Sequence, residues 1–345
     1  MLMDRRTMNK KPVFERENSG TVLNLKSAGF RQKLLCDGIT LNLGDTCAFS
    51  CEFCYVEAMV RRFSGDALKS FNRAQGLRGA KRLGYRDVVI RRRNPIELLR
   101  KQLIRKGEPR FSDPEDKRVL FSSTLVDVAA NMELLRETAE ACNVILQNTH
   151  WQIRLLSKSN LLQKLIADSI VSDKYRDRMI FGFSTGTLDD KVAGAIETGT
   201  PHVSKRIEAL HWLQDRGFRT FGMICPSLPQ VDYDKFSEEL CDAIRVKRCE
   251  HVWAEAINVR GPTLPRTLDA LRRVGLNDEA ARVEEVANNF RAWEEYSRAT
   301  FLAHSKHADG KLRYLQYVKK STKAWWKSRE ADGAVLLGKA SETGA

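Results

Sequence analysis

Ile39-Thr40-Leu41-Asn42-Leu43-Gly44-Asp45-Thr46-Cys47-Ala48-Phe49-Ser50-Cys51-Glu52-Phe53-Cys54-Tyr55 reads as a strand, a break and a three-cysteine loop. Ile39 to Leu43 has strand character, and Gly44-Asp45 ends it. Cys47, Cys51 and Cys54 follow in a C-x3-C-x2-C spacing. Thiolates are metal and cluster ligands, so three on one loop point first to such a site. Structural zinc takes four ligands. The first histidine of the chain is His150, and Cys36 sits at the far end of the strand, so no local fourth ligand is available. Ordinary four-iron clusters take four cysteines. A set of three leaves one iron open to a ligand from outside the protein.

Outward from this loop, Glu52 to Arg62 has a helical pattern. Residues 63–87 read as an insertion, punctuated by Gly65, Gly76, Gly79 and Gly84 and loaded with Lys69, Arg73, Arg78, Lys81, Arg82 and Arg86. Strand patterns then alternate with helical ones. Strands are expected at Arg118 to Phe121, Gln152 to Leu156, Met179 to Phe183, Phe218 to Ile224 and His251 to Ala256. Counted from Ile39 these make six strand–helix units, which predicts an α/β fold, a partial (β/α)6 TIM-type barrel built on a parallel sheet. In such sheets the chemistry sits at the carboxyl ends of strands. Those ends here carry the cysteine loop, Ser122 and Ser123, Lys158, Ser184, and Glu255 with Asn258. Cys225 ends the fifth strand and is the other cysteine expected to face the cavity. Cys142, among Leu134, Leu135, Ala139 and Ile145, reads as core. The wide spacing of Cys225, Cys241 and Cys249 does not suit a second cluster.

Residues 36–260 thus form the barrel and residues 1–35 an arm expected to cross the outside of the fold. Pro262 and Pro265 mark a joint into residues 261–345, read as a helical C-terminal extension with no further strand. Its run from Tyr314 to Lys327 interleaves aromatics with lysines. Such a run packs its rings inward while the lysines stay wet, or stacks bases and pairs phosphates. Of 345 residues, 30% are charged and 42% hydrophobic, with a net charge of +14 and a pI near 9.5. A basic chain of this kind favours a polyanionic partner such as nucleic acid. Eight cysteines with three clustered suit a reducing, cytoplasmic setting. No apolar run approaches the roughly 20 residues that span a bilayer, and the N-terminus lacks a signal-peptide pattern.

The C-x3-C-x2-C loop, with Phe53 before its last cysteine and its place after the first strand, resembles the signature of the radical S-adenosylmethionine superfamily. Ser157-Lys158-Ser159-Asn160, Phe183-Ser184 and Glu197-Thr198-Gly199-Thr200-Pro201 followed by Arg206 resemble, more narrowly, its spore photoproduct lyase-like branch over residues 36–260. The resemblance implies a [4Fe–4S] cluster on Cys47, Cys51 and Cys54, with S-adenosyl-L-methionine on the open iron. Its reductive cleavage yields a 5′-deoxyadenosyl radical that abstracts hydrogen from a substrate, using electrons from an external flavodoxin- or ferredoxin-like donor. It further implies that Lys158 and Ser184 hold the methionine carboxylate, that Ser122 or Ser123 lies near the amino group, and that Phe53 touches the adenine. Glu197 and Arg206 are expected to pair and fix the loop between them. Tyr55 matches a tyrosine implicated in hydrogen transfer, and Tyr55 and Cys225 are the candidate catalytic groups. The chain departs from the lyase in one respect: the loop Phe121-Ser122-Ser123-Thr124-Leu125 lacks the cysteine that donates hydrogen there. A nucleic acid, a peptide or a small metabolite all stand as substrates. A non-catalytic nucleic-acid-binding protein with a structural metal is the alternative from another class.

Overall fold

The computed structural model describes residues 11–16, 21–63, 67–258 and 261–338. Expectations for Gly65, for residues 1–10 and for the tail from Ser341 to Ala345 lie outside them. Nine strands make the central sheet, labelled in chain order: β1 (Leu23–Asn24), β2 (Ile39–Leu41), β3 (Val119–Ser122), β4 (Gln152–Ser157), β5 (Met179–Ser184), β6 (Arg219–Ser227), β7 (Val252–Ala256), β8 (Leu312–Tyr317) and β9 (Ala334–Leu337). Each strand lies beside its predecessor in the chain, from β1 at one edge to β9 at the other. The β1–β2 pair is antiparallel and every other pair parallel. A sheet wound in one direction brings all its parallel carboxyl ends to one side.

Helices connect the strands, and the chain marks their starts with side-chain caps. Asn131 accepts from Leu134 N ahead of Met132–Asn148. Asp189 caps Asp190–Ile196 and Asp232 caps Tyr233–Ala243 in the same way. Side chains alternate across each strand, and two apolar clusters divide accordingly. On the helix-covered face, Leu120, Ile153, Leu155, Phe181, Phe183 and Ile224 join one large core. On the other face, Phe121, Ile180, Phe221, Met223, Trp253 and Leu315 form a second cluster, which Leu35 and Cys36 complete. Burying an aromatic of this size is worth about 2–3 kcal/mol, so both faces of the sheet contribute to stability.

Two expectations change, and of the two readings of the aromatic–lysine run the inward-packed one holds. The C-terminal extension is not helical throughout: it supplies β8 and β9, because Leu312, Tyr314 and Leu315 are strand-forming residues that bury against β7 and the helix Phe290–His307. The aromatic–lysine run packs inward, with Tyr314 and Trp326 fully buried and stacked at 5.8 Å. The arm does not stay outside. Residues 28–36 close the amino-terminal end of the inner face, where Lys33 O accepts from Trp253 Nε1 (2.8 Å), Leu34 O from Arg313 (2.9 Å) and Leu35 O from Arg154 (2.7 Å). Earlier in the arm, Val13–Arg16 pairs in parallel with Val89–Arg92. The described part of the insertion folds as the helix Ala67–Ala74 and a short turn. Phe71, Tyr85, Val88 and Ile90 form a small core of its own with Val60.

Candidate active site

The cysteine loop is held by its neighbours before any cofactor is considered. Ser50–Cys51 forms a two-residue strand antiparallel to Glu197–Thr198, with Cys51 opposite Glu197. Glu52 N donates to Ile196 O at 2.8 Å. Three cations from three separate segments grip the loop. Lys11 donates to Phe49 O (3.1 Å). Arg86 donates to Ser50 O (2.6 Å) and pairs with Glu52 (2.8 Å). Arg266, from the helix Thr263–Arg273, pairs with Glu57 (2.7 Å) and reaches Glu52 O (3.3 Å).

Cys47, Cys51 and Cys54 line one open cleft together with Arg86 and Arg266. Burial raises all three thiols above the ordinary cysteine value, Cys47 to about 12. A bound metal would displace those protons. Among the described residues no three His, Cys, Asp or Glu side chains gather as ligands of a single ion. A cluster takes one thiolate per iron, so its cysteines need not meet at one point. The donor set, three thiols on one cleft with cations beside them, therefore fits an anionic cluster.

Beside this cleft, next to Cys51, lies a buried charge network. Lys158 Nζ has three protons and three acceptors: Ser184 Oγ (2.9 Å), Glu197 Oε1 (2.5 Å) and Cys225 O (3.1 Å). The other oxygen of Glu197 takes Arg206 at 2.5 Å, so the expected Glu197–Arg206 pair is present. Arg206 is wholly buried and also donates to Ser184 O, Thr200 Oγ1 and Pro201 O. Burial opposes the charge of Glu197, but Lys158 and Arg206 together hold its pKa below the ordinary value. Lys158 also lies over the Phe53 ring, 5.8 Å from its centroid. One network thus joins the ends of β4, β5 and β6 to the strand that carries Cys51.

Asp127 is a part of this site that sequence reasoning missed. It is buried and accepts from Ser157 Oγ (2.6 Å), Lys158 N (2.7 Å) and Ala129 N (2.9 Å), while its own N donates to Cys47 Sγ (3.4 Å). Its one signal was a lone carboxylate in the apolar run Leu125-Val126-Asp127-Val128 after a strand. The remaining candidates divide. Ser122 and Ser123 bond within the protein, to Leu41 O (3.4 Å) and Val126 O (3.2 Å). Tyr55 Oη donates to Thr124 O (2.9 Å). The Cys225 thiol, pushed up to about 12 by burial, stands protonated at neutral pH. Glu255 faces Lys33 at 3.9 Å. Asn258 is exposed.

No protein-family profile matches the chain. A variant of spore photoproduct lyase solved with a dinucleoside spore photoproduct superposes with a TM-score of 0.55, covering 89% of this chain and 81% of that one at 13% identity. A second structure of a variant of the same lyase gives a TM-score of 0.54, covering 89% and 82% at 12% identity. The chain shares the fold of spore photoproduct lyase. In sequence it is 24% identical over 245 residues to the uncharacterized protein ORF301 of Acidianus two-tailed virus, covering 66% of this chain and 70% of that protein. The shared fold accounts for the mostly parallel sheet wrapped by helices. Among the described residues no helix is long and apolar enough to cross a membrane.

Proposed function

We propose that this protein is a radical S-adenosylmethionine enzyme acting on a nucleic acid. The single observation that carries the reading is the convergence of Cys47, Cys51 and Cys54 on one cleft beside the strand-end network of Lys158, Ser184 and Glu197, in a chain with the fold of spore photoproduct lyase. When bound, a [4Fe–4S] cluster with S-adenosylmethionine supplies the electron and the radical that abstracts hydrogen, and the protein orients and shields them. In this reading the sheet curls as a partial (β/α)6 barrel over residues 36–260, with 261–345 as its extension. Cys47, Cys51 and Cys54 hold the cluster, and Phe53 borders the adenine. Ser122, Ser123, Lys158, Ser184, Glu255 and Asn258 are the strand-end groups from which the cofactor pocket is built. Because all three protons of Lys158 are committed, its first task is to hold the loop. It reaches a ligand carboxylate only by sharing one of those protons or releasing Glu197.

Tyr55 and Cys225 serve the substrate. A protonated thiol on the inner face, at the end of β6, is suited to return a hydrogen atom to a substrate radical. It takes that task here because the loop after β3 holds serines and no cysteine. A flavodoxin- or ferredoxin-like donor supplies the electron.

After anaerobic reconstitution with iron and sulfide the protein should carry about four irons and form 5′-deoxyadenosine when reduced with S-adenosylmethionine present. Cys51→Ala should lose both. Zinc in place of iron, or iron without deoxyadenosine, defeats the reading.

A further inference from the structure

Two lysines place their ammonium groups at the carboxyl ends of the inner face, and they are not equivalent. Lys158 spends its three protons on protein acceptors at 2.5 to 3.1 Å. Lys33 does not. Lys33 faces Glu255 Oε2 at 3.9 Å, beyond the roughly 3.2 Å limit of a good N–H···O bond. The Tyr317 ring lies 5.8 Å from it. Among the described residues no acceptor comes within hydrogen-bond distance of this ammonium. Glu255 likewise accepts no hydrogen bond among them. Both side chains are largely enclosed, with relative exposures of 22% and 18%. A mostly buried ammonium that neutralises a carboxylate without bonding it keeps its donors for something else.

The backbone beneath Lys33 is built to hold that position. Leu34 sits at φ 58°, a left-handed conformation that costs a leucine on the order of 1–2 kcal/mol. Three side chains from three strands keep it there: Trp253, Arg313 and Arg154 bond the carbonyls of Lys33, Leu34 and Leu35. Strain persists where the surroundings over-determine it, and it gathers at functional positions. What this turn positions is the ammonium of Lys33. Tyr317 and Glu255 come from β8 and β7, on the same inner face as Cys225 at the end of β6.

We propose that Lys33 binds an anionic oxygen that approaches these strand ends, with Glu255 as its resting counter-charge. The incoming oxygen would form the charge-assisted hydrogen bond of about 2.8 Å that Glu255 does not. Two molecules could deliver this chemistry: S-adenosylmethionine through its carboxylate, or a nucleic-acid substrate through a phosphate. The first source rests on the proposed function; the second does not require a cluster.

The test is equilibrium binding by calorimetry, without reductant, to wild type, Lys33→Met, Lys33→Arg and Glu255→Gln. One arm uses reconstituted protein and S-adenosylmethionine. The other uses thymidine 5′-phosphate, with thymidine as the uncharged control, on protein with and without the cluster. Lys33→Met should weaken at least one of the two anions tenfold or more and leave thymidine unchanged. Lys33→Arg should recover most of the loss, and Glu255→Gln should tighten the same anion. A loss confined to S-adenosylmethionine assigns the carboxylate; one confined to thymidine 5′-phosphate assigns the phosphate. The proposal is overturned if wild type takes up neither anion, or if Lys33→Met binds both anions like wild type or loses thymidine equally. Should no cluster assemble, the radical reading fails on iron content while the phosphate arm still decides the role of Lys33. Melting temperatures check that each variant is folded.

Discussion

Glu197 shows how one side chain serves both stability and site geometry. Its two oxygens are divided between Lys158 and Arg206, and its backbone pairs with Cys51. Removing one partner of a buried ion pair leaves the other charge uncompensated, at a cost of about 3–5 kcal/mol. Glu197→Gln should therefore lower the urea midpoint by a corresponding amount and reduce iron retained after reconstitution, whereas Glu208→Gln on the exposed face should do neither. The sign with pH follows from the lowered carboxyl pKa. The stabilisation is complete above the unfolded glutamate value, about 4.3, and is lost as pH falls through the folded value. A variant whose acid-unfolding curve overlays wild type would refute this. Lys158, Ser184 and the Glu197–Arg206 pair could be read from short motifs. Asp127 and Lys33 could not, because each acts through residues distant in the chain and neither lies in a motif.

At the scale of elements, strand parity organises the site. Lys158, Ser184, Cys225, Glu255 and Tyr317 fall on the inner-face positions of β4 to β8, two residues on from inward-facing Leu156, Gly182, Met223, Trp253 and Leu315. The first four ends were legible from the strand pattern. Tyr317 was not, because its strand was read as helix: lysines follow the aromatics, and the partner that makes the strand, β7, lies about sixty residues earlier in the chain. Where β5 and β6 end, the backbones approach closely. A Cβ on Gly186 would stand 2.0 Å from Pro226 O, so only glycine fits. Gly186→Ala should force the two strand ends apart and cost on the order of 1–3 kcal/mol, read as a lower denaturation midpoint. It should also loosen the Ser184–Cys225 contact, now 3.0 Å, and speed alkylation of the half-buried Cys225 thiol. Unchanged alkylation would show that the strands absorb the methyl group elsewhere.

Across the whole molecule, the C-terminal segment is fastened to the rest of the sheet and its helices through both polar and apolar groups. His304 is buried between Ser227 and Ser237, 3.2 and 2.9 Å from its two ring nitrogens, and burial lowers its pKa to about 3. Unfolding frees it to titrate near 6.5. Stability from this group is thus complete above pH 6.5 and falls as pH drops toward 3, by up to about 1.4 kcal/mol per unit. Denaturant titrations should show a shallower pH dependence between pH 6 and 4 for His304→Gln than for wild type; equal slopes would remove His304 from the account. The net charge of +14 makes a prediction of its own. If a nucleic acid is the substrate, the logarithm of its affinity should fall linearly with the logarithm of salt, by about 0.9 per phosphate neutralised, and a flat response would exclude it.

The local code carried what depends on neighbours in the chain. Cysteine spacing, strand–helix alternation and the polar strand ends all repeat at short range, so the three-cysteine loop and a mostly parallel sheet could be read before any contact was known. Three matters needed the tertiary structure. Two strands extend the sheet from a segment that looked helical, and a turn from the arm brings Lys33 beside Glu255. The third is the division of charge around Glu197, which commits Lys158 to protein acceptors. Each depends on contacts between residues far apart in sequence, whose energies exist only once the chain has folded around them.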